Sequence, residues 1–197
     1  MTHGQTRYQS WESLPVRTDR TPNELNHIPQ LYVARSNIDH PMNTSRPTFF
    51  RTEDGNINGD GEPTSFSSPV LGTRNPNLAS ALERNIAPLV RMVNQFDFVT
   101  YSSCEGHLID QNFYEGYVGF LFEEDREEEM LRFISISCDV GFSPFRTLLI
   151  DSEDKISHKT VEIYFCHETG VDLRTYHRQL LRTTDRLLER IEIERRH

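Results

Sequence analysis

The sequence predicts an α+β fold, with helices packed on a mixed or antiparallel sheet over residues 75–197 and a loosely structured N-terminal arm and linker over residues 1–74. Three observations predict it. Apolar residues recur at helical spacing at both ends of the second region, and at strand spacing between. The inferred order after residue 76 is helix-strand-strand-helix-strand-strand-helix, a strand-strand-helix unit used twice. Residues 1–77, by contrast, are rich in Thr, Asn, Pro, Ser and Gly, and carry little apolar periodicity. The two units share no evident sequence identity, so they are not read as a repeat.

Within residues 1–30 the anchors are Tyr8, Trp11 and Leu14, and residues 28–34 read as a short strand. Residues 54–63 are turn-forming throughout. Asp54, Asn56, Asn58 and Asp60 alternate there, but the glycine and closing glutamate of a calcium loop are misplaced, so the stretch reads as a solvated turn. Asn75 and Pro76 open the first helix as N-cap and first helical residue. Leu78, Leu82, Ile86, Leu89 and Val93 form its buried stripe, and Pro88 is expected to kink or split it.

Residues 97–101 then read as a short buried strand, residues 102–107 as a loop, and residues 117–122 as a second strand. The carboxylates of residues 123–129 favour the N-terminus of the next helix and otherwise read as a solvated face. Met130, Phe133, Ile134 and Ser137 face its core side. Residues 146–150 and 160–166 make a hairpin, with Val161, Ile163 and Phe165 on one face and Glu162 and Tyr164 on the other. The last helix spans about residues 171–195, with Leu173, Leu180, Leu181, Leu187, Leu188 and Ile191 inward. Arg174, Arg178, Arg182, Arg186 and Arg190 recur every fourth residue among interspersed acids, which reads as a salt-bridged solvent face or a seam for a protein partner.

Charge narrows the function classes. Residues 1–77 hold 7 basic and 8 acidic side chains and residues 78–197 hold 14 and 22, so the second region alone carries −8 of the net −9. An acidic domain is a poor non-specific nucleic-acid binder, although a local patch could still take a nucleotide or one RNA. No apolar run reaches the length of a membrane span, and the start lacks the apolar stretch of a secretory signal, so a cytoplasmic protein is expected. Three widely spaced cysteines do not suggest a disulfide framework. Walker, Gly-x-Gly-x-x-Gly and Gly-x-Ser-x-Gly motifs are absent, which argues against P-loop NTPases, dinucleotide-binding Rossmann domains and α/β-hydrolases.

The chemistry is expected at Ser102, Ser103, Cys104, Glu105, Gly106 and His107. Gly106 allows a strained turn and close ligand approach. Neighbouring amides with Ser102 and Ser103 suit an anion, so Ser102, Ser103 and Gly106 are the expected ligand-binding residues. Cys104, Glu105 and His107 are the expected catalytic residues, as nucleophile, acid or base. Cys166 and His167 could complete a four-ligand zinc site with Cys104 and His107. Adjacent strand residues point oppositely, so Cys166 and His167 serve together only if the strand ends there, and no metal is expected.

Residues 85–107 resemble the wybutosine-synthesising, tRNA methyltransferase-like proteins, in which a helix ending near an Asn precedes a strand and a Thr-Ser-Ser-Cys-Ser-Gly-Arg loop. The resemblance covers roughly residues 82–122, and its core is Ser102, Ser103, Cys104 and Gly106, supported by Asn94 and Thr100. It implies S-adenosylmethionine or another nucleotide-type ligand beside the loop, and RNA modification as the activity. Glu105 stands where that family has Ser, and His107 where it has Arg, which points instead to proton transfer or metal-linked chemistry. The expectation is therefore a small nucleotide- or S-adenosylmethionine-binding enzyme. Two alternatives stand beside it. One is a metal-assisted hydrolase or nucleotide-processing enzyme using Glu105 and His107. The other is a non-enzymatic sensor or assembly module whose N-terminal arm binds a protein partner.

Overall fold

Alternating apolar residues pair into a sheet that three amphipathic helices cover. The computed structural model describes residues 7–17, 23–25, 50–52, 55–57, 82–96, 98–109, 112–151, 157–166 and 170–196. Its strands are β1 (Asn23–Leu25), β2 (Phe50–Thr52), β3 (Gly55–Ile57), β4 (Val99–Cys104), β5 (His107–Ile109), β6 (Asn112–Tyr114), β7 (Gly116–Leu121), β8 (Phe142–Asp151) and β9 (Ser157–Phe165). Its α-helices are α1 (Ala87–Gln95), α2 (Glu127–Val140) and α3 (Leu173–Arg195). The main sheet runs β1-β8-β9-β7-β4, antiparallel except that β1 lies parallel to β8. The α+β class is as the sequence predicts, and so is the order of elements after α1 except for the hairpin β5–β6, which lies between the two expected strands and was not expected.

One face of the sheet carries the core. Val118 and Phe120 of β7 and Val161, Ile163 and Phe165 of β9 share a cluster with Leu89 and Val93 of α1, Phe133 and Ile134 of α2, and Tyr176, Leu180 and Leu187 of α3. Complete burial of a Leu, Ile or Phe side chain contributes about 1.5–3 kcal/mol. Phe133 packs edge-on to both Phe98 and Phe120, tying α2 to the residue before β4 and to the neighbouring strand β7.

The opposite face is withdrawn from solvent as well where β9 crosses it. Glu162 and Tyr164 are 2% and 0% exposed. Tyr101 donates to Glu162 Oε1 (3.0 Å) and Tyr164 to Glu162 Oε2 (2.7 Å), so the withdrawn carboxylate is hydrogen-bonded from both oxygens. The Tyr101 ring lies across Gly119, where a Cβ would meet its Cζ at 2.7 Å. Arg17 stacks over Tyr164 at 4.3 Å.

Other differences have local causes. Helix α1 starts at Ala87 with Pro88 in its first turn, and residues 84–86 form turns, so the proline opens the helix rather than bending it. The stretch 75–81 lies outside the described residues, as does the strand expected at 28–34. Of residues 54–63, only Gly55–Ile57 is described, and it pairs with Phe50–Thr52 as a strand. On α3, Leu188 is 39% exposed, while Thr183 and Thr184 are buried in its place. Thr184 returns its hydroxyl to Leu180 O (3.0 Å), which satisfies it inside the core. The side chains of Arg174, Arg178, Arg182, Arg186 and Arg190 face solvent.

The anchors of the N-terminal region are seated on this domain. Trp11 and Leu14 are buried, and Tyr8 packs beside them. Trp11 donates its indole N–H to Thr160 O (2.8 Å), and its backbone N–H bonds Glu127 Oε1 (2.8 Å). Arg146 N donates to Pro15 O at 2.8 Å. Among the described residues, no helix is long and apolar enough to cross a membrane.

Candidate functional site

Strand β4 carries the expected loop residues further than the sequence suggests. Ser102, Ser103 and Cys104 pair with Gly119, Val118 and Tyr117 of β7, so all three are strand residues. Serines beside a glycine read as a turn, but the ladder to β7 overrides that preference. A bulge between Thr100 and Ser102 interrupts the register. It puts Ser102 on the tyrosine-lined face, where its Oγ lies 2.7 Å from Tyr117 Oη. Thr100 donates to Asn94 Oδ1 (3.2 Å), joining the two supporting positions upstream of the motif.

The turn itself is Glu105 and Gly106. Gly106 has φ +90°, and a Cβ there would meet Tyr176 Cε1 at 2.7 Å and Tyr114 O at 3.0 Å. Only glycine fits both constraints. The Gly106 amide points to Cys104 Sγ (3.4 Å), and its carbonyl accepts from His177 Nε2 (3.0 Å). Tyr176, buried beneath, accepts from Gly116 N (2.6 Å) and donates to Phe165 O (2.9 Å). The chain then reverses through β5 and β6, with His107 opposite Tyr114.

A distant segment completes the site. Glu83 Oε1 lies 2.7 Å from His107 Nε2, and Glu83 Oε2 accepts from the Glu105 amide at 2.7 Å. In return the Glu105 carboxylate accepts from the Asn85 amide at 2.7 Å. Two carboxylates therefore clasp the segment before α1 to the turn after β4. Each uses a charge-assisted bond to a backbone amide.

Glu83, Cys104 and His107 offer one oxygen, one sulfur and one nitrogen, all within 4.8 Å of one another. The side chains of His107 and Glu83 keep 14% and 11% exposure, so the cluster is shielded yet reachable. Hydrogen bonding to Cys104, then to Glu83, favours the imidazolium and pushes the pKa of His107 up to about 10, against the opposing effect of burial. Chemically this is a thiol next to a base, with the base held by an acid.

The structure thus brings together Cys104 and His107 of the expected catalytic set, and it places Glu105 differently. The Glu105 carboxylate is bound to Asn85, and the acid touching His107 is Glu83. Ser102, Ser103 and Gly106 do not form one open nest, because Ser102 faces Tyr117 and the Gly106 amide turns to Cys104. Cys166, at the end of β9, is 3.4 Å from Ser143 Oγ and is not among the clustered donors. His167 lies outside the described residues. His158 sits seven residues down β9 from Phe165, roughly 23 Å by strand rise, at the far end of the sheet. Glu83 and His177 carry no local signal in the sequence. Glu83 lies between Leu82 and Ile86 of the apolar stripe, and His177 lies on the last helix.

Compared with known proteins, the chain matches no family model, no curated protein and no solved structure.

Proposed function

We propose that this chain is an enzyme that works by covalent thiol catalysis, with Cys104 as nucleophile, His107 as its base and Glu83 as the residue that positions the imidazole. The observation that carries this reading is the 2.7 Å contact of Glu83 with His107 inside a cluster that also contains the Cys104 sulfur. A thiolate is the nucleophilic form of cysteine, and an adjacent imidazole both takes its proton and stabilises its charge. In the first step the Cys104 sulfur bonds to an electrophilic carbonyl-class carbon of the substrate. The leaving group departs with its electron pair and takes the proton from His107. Water, or a second substrate, deprotonated by His107, then breaks the new carbon–sulfur bond. Such a thiol belongs in a reducing compartment, in keeping with a cytoplasmic location.

The test is acylation by a small activated ester, read cysteine by cysteine by mass spectrometry. Acylation is expected at Cys104 and not at Cys166, to vanish in Cys104→Ala, and to slow by about 100-fold or more in His107→Gln. Equal labelling of Cys104 and Cys166 sinks the reading.

A second reading keeps the nucleotide-type ligand. What favours it is the Thr100–Asn94 hydrogen bond, which joins the two positions that support the resemblance to the tRNA-modifying family. Isothermal titration with S-adenosylmethionine tests it, and no heat at millimolar ligand removes it.

A further inference from the structure

The thiol reading treats Glu83, Cys104 and His107 as one unit. The same unit has a second property, and the inference drawn from it rests on that shared premise. We propose that these three side chains form a binding site for a divalent transition cation of the zinc class, and that its occupancy controls access to the Cys104 sulfur.

The donor set selects the class. A carboxylate oxygen, an imidazole nitrogen and a thiolate sulfur together suit a borderline ion such as Zn2+, whereas Mg2+ and Ca2+ favour oxygen alone. The spacing suits it as well. Zinc bonds of about 2.0–2.3 Å in a tetrahedron put ligand atoms about 3.3–3.8 Å apart. The three donors lie within 4.8 Å, and the Glu83–His107 pair needs to open by less than about 1 Å from its 2.7 Å contact.

The groups behind the donors support the same assignment. The second oxygen of Glu83 is held by the Glu105 amide, which aims the first one at the cluster. The Gly106 amide points at the Cys104 sulfur, as a partner for a charged thiolate. Glu105 is itself fixed by Asn85, and the Gly106 carbonyl is fixed by His177. Ligands oriented in this way by outer hydrogen bonds are characteristic of metal sites. The cluster therefore has three donors, two of them met by outer hydrogen bonds. A zinc ion held by three protein ligands takes solvent or substrate as its fourth.

Binding would exchange protons for metal. The ion displaces the protons held by the thiol and the imidazolium and bonds to the sulfur lone pair that would otherwise attack a substrate. It would also staple the segment around Glu83 to the turn after β4, two pieces of chain more than twenty residues apart in sequence.

The experiment uses the full-length chain, purified without a metal-binding tag, stripped with chelator and dialysed. Co2+ is added as the spectroscopic probe and Zn2+ as its competitor. In parallel, iodoacetamide labelling is read at each cysteine by mass spectrometry. The expected result is a sulfur-to-cobalt charge-transfer band at one equivalent, abolished by Zn2+ and absent in both Cys104→Ser and the milder Glu83→Gln. Zinc is also expected to slow labelling of Cys104 by at least about tenfold with Cys166 unchanged. No band and unaltered labelling at roughly 0.1 mM metal, where a micromolar site is saturated, overturns the proposal. A band that survives Cys104→Ser overturns it too, by locating the sulfur elsewhere. Fast acylation of Cys104 in chelator without metal binding leaves the thiol reading standing and this inference fallen. A cobalt band on a Cys104 that does not acylate does the reverse.

Discussion

Glu83 and Glu162 are both carboxylates withdrawn from water, and their surroundings could hardly differ more. Glu162 sits at 2% exposure under the phenols of Tyr101 and Tyr164. Burial, then the Glu162 charge, hold the Tyr101 hydroxyl well above its ordinary pKa, so that donor keeps its proton throughout the working range. Glu83 meets an imidazole and shares a cluster with a thiol, at a site that retains some exposure. The first carboxylate is a structural acceptor between strands; the second faces groups that exchange protons and stays within reach of a ligand. Burial alone therefore does not mark a reactive acid. The chemistry of the partners and the remaining access to solvent do.

Substitutions can break or sharpen this contrast. The largest effect is expected from Glu162→Ala, which leaves two phenols without their acceptor and opens a cavity. A stability loss of about 4 kcal/mol is expected from urea unfolding. Cys104 labelling should be unchanged in the molecules that stay folded. If labelling changes as much as stability, the two carboxylates are coupled and the comparison fails.

Gly106→Ala comes next. Its side chain would strike Tyr176 and the Tyr114 carbonyl from a backbone with positive φ. A loss of about 3 kcal/mol is expected, seen as a lower Tm, together with slower acylation of Cys104. A neutral Ala variant would show that the turn is not held as described.

The Glu83 side should show itself in pH. His107 is raised above its unfolded value, so its contribution is fully present below about pH 6.5 and is lost as pH rises through about 10. In chelator, the wild-type advantage over His107→Gln should decline across that window by about 2 kcal/mol, the scale of a charge-assisted hydrogen bond. A difference that is flat from pH 6 to 10 would deny the ion pair.

Glu83→Gln keeps the shape and removes the charge. Acylation of Cys104 is expected to slow about tenfold, equivalent to about 1.4 kcal/mol in the barrier, with little change in fold. Substitution by Asp should restore part of the rate, because it returns the charge. His177→Ala has the smallest expected effect, about 1 kcal/mol of stability from the lost bond to Gly106 O, measured by the shift in urea midpoint.

Much of the fold was legible because it depends on local periodicity. The stripe of α2 through Met130, Phe133, Ile134 and Ser137 is buried as predicted, and the β8–β9 hairpin pairs where alternation placed it. What was not legible depends on partners far along the chain. Ser102 and Ser103 read as loop formers, and only the ladder to Gly119 and Val118 makes them strand. Glu162 reads only as lying on the face opposite Val161, and its burial depends on Tyr101, 61 positions away, together with Tyr164. The site divides in the same way. Cys104 and His107 were found because a turn brings near neighbours together. Glu83 was hidden in an apolar stripe, since nothing local announces that a residue more than twenty positions upstream will meet the turn.

The seat of Trp11 has one further consequence. Its indole bridges to the centre of the β8–β9 hairpin at Thr160, and its amide reaches the first turn of α2. A fragment begun at residue 75, where composition changes, would uncover that socket and strand the Glu127 carboxylate without its amide. The cooperative unit thus begins upstream of the compositional border, and cutting the gene at that border would yield a polypeptide missing one of its own keystones.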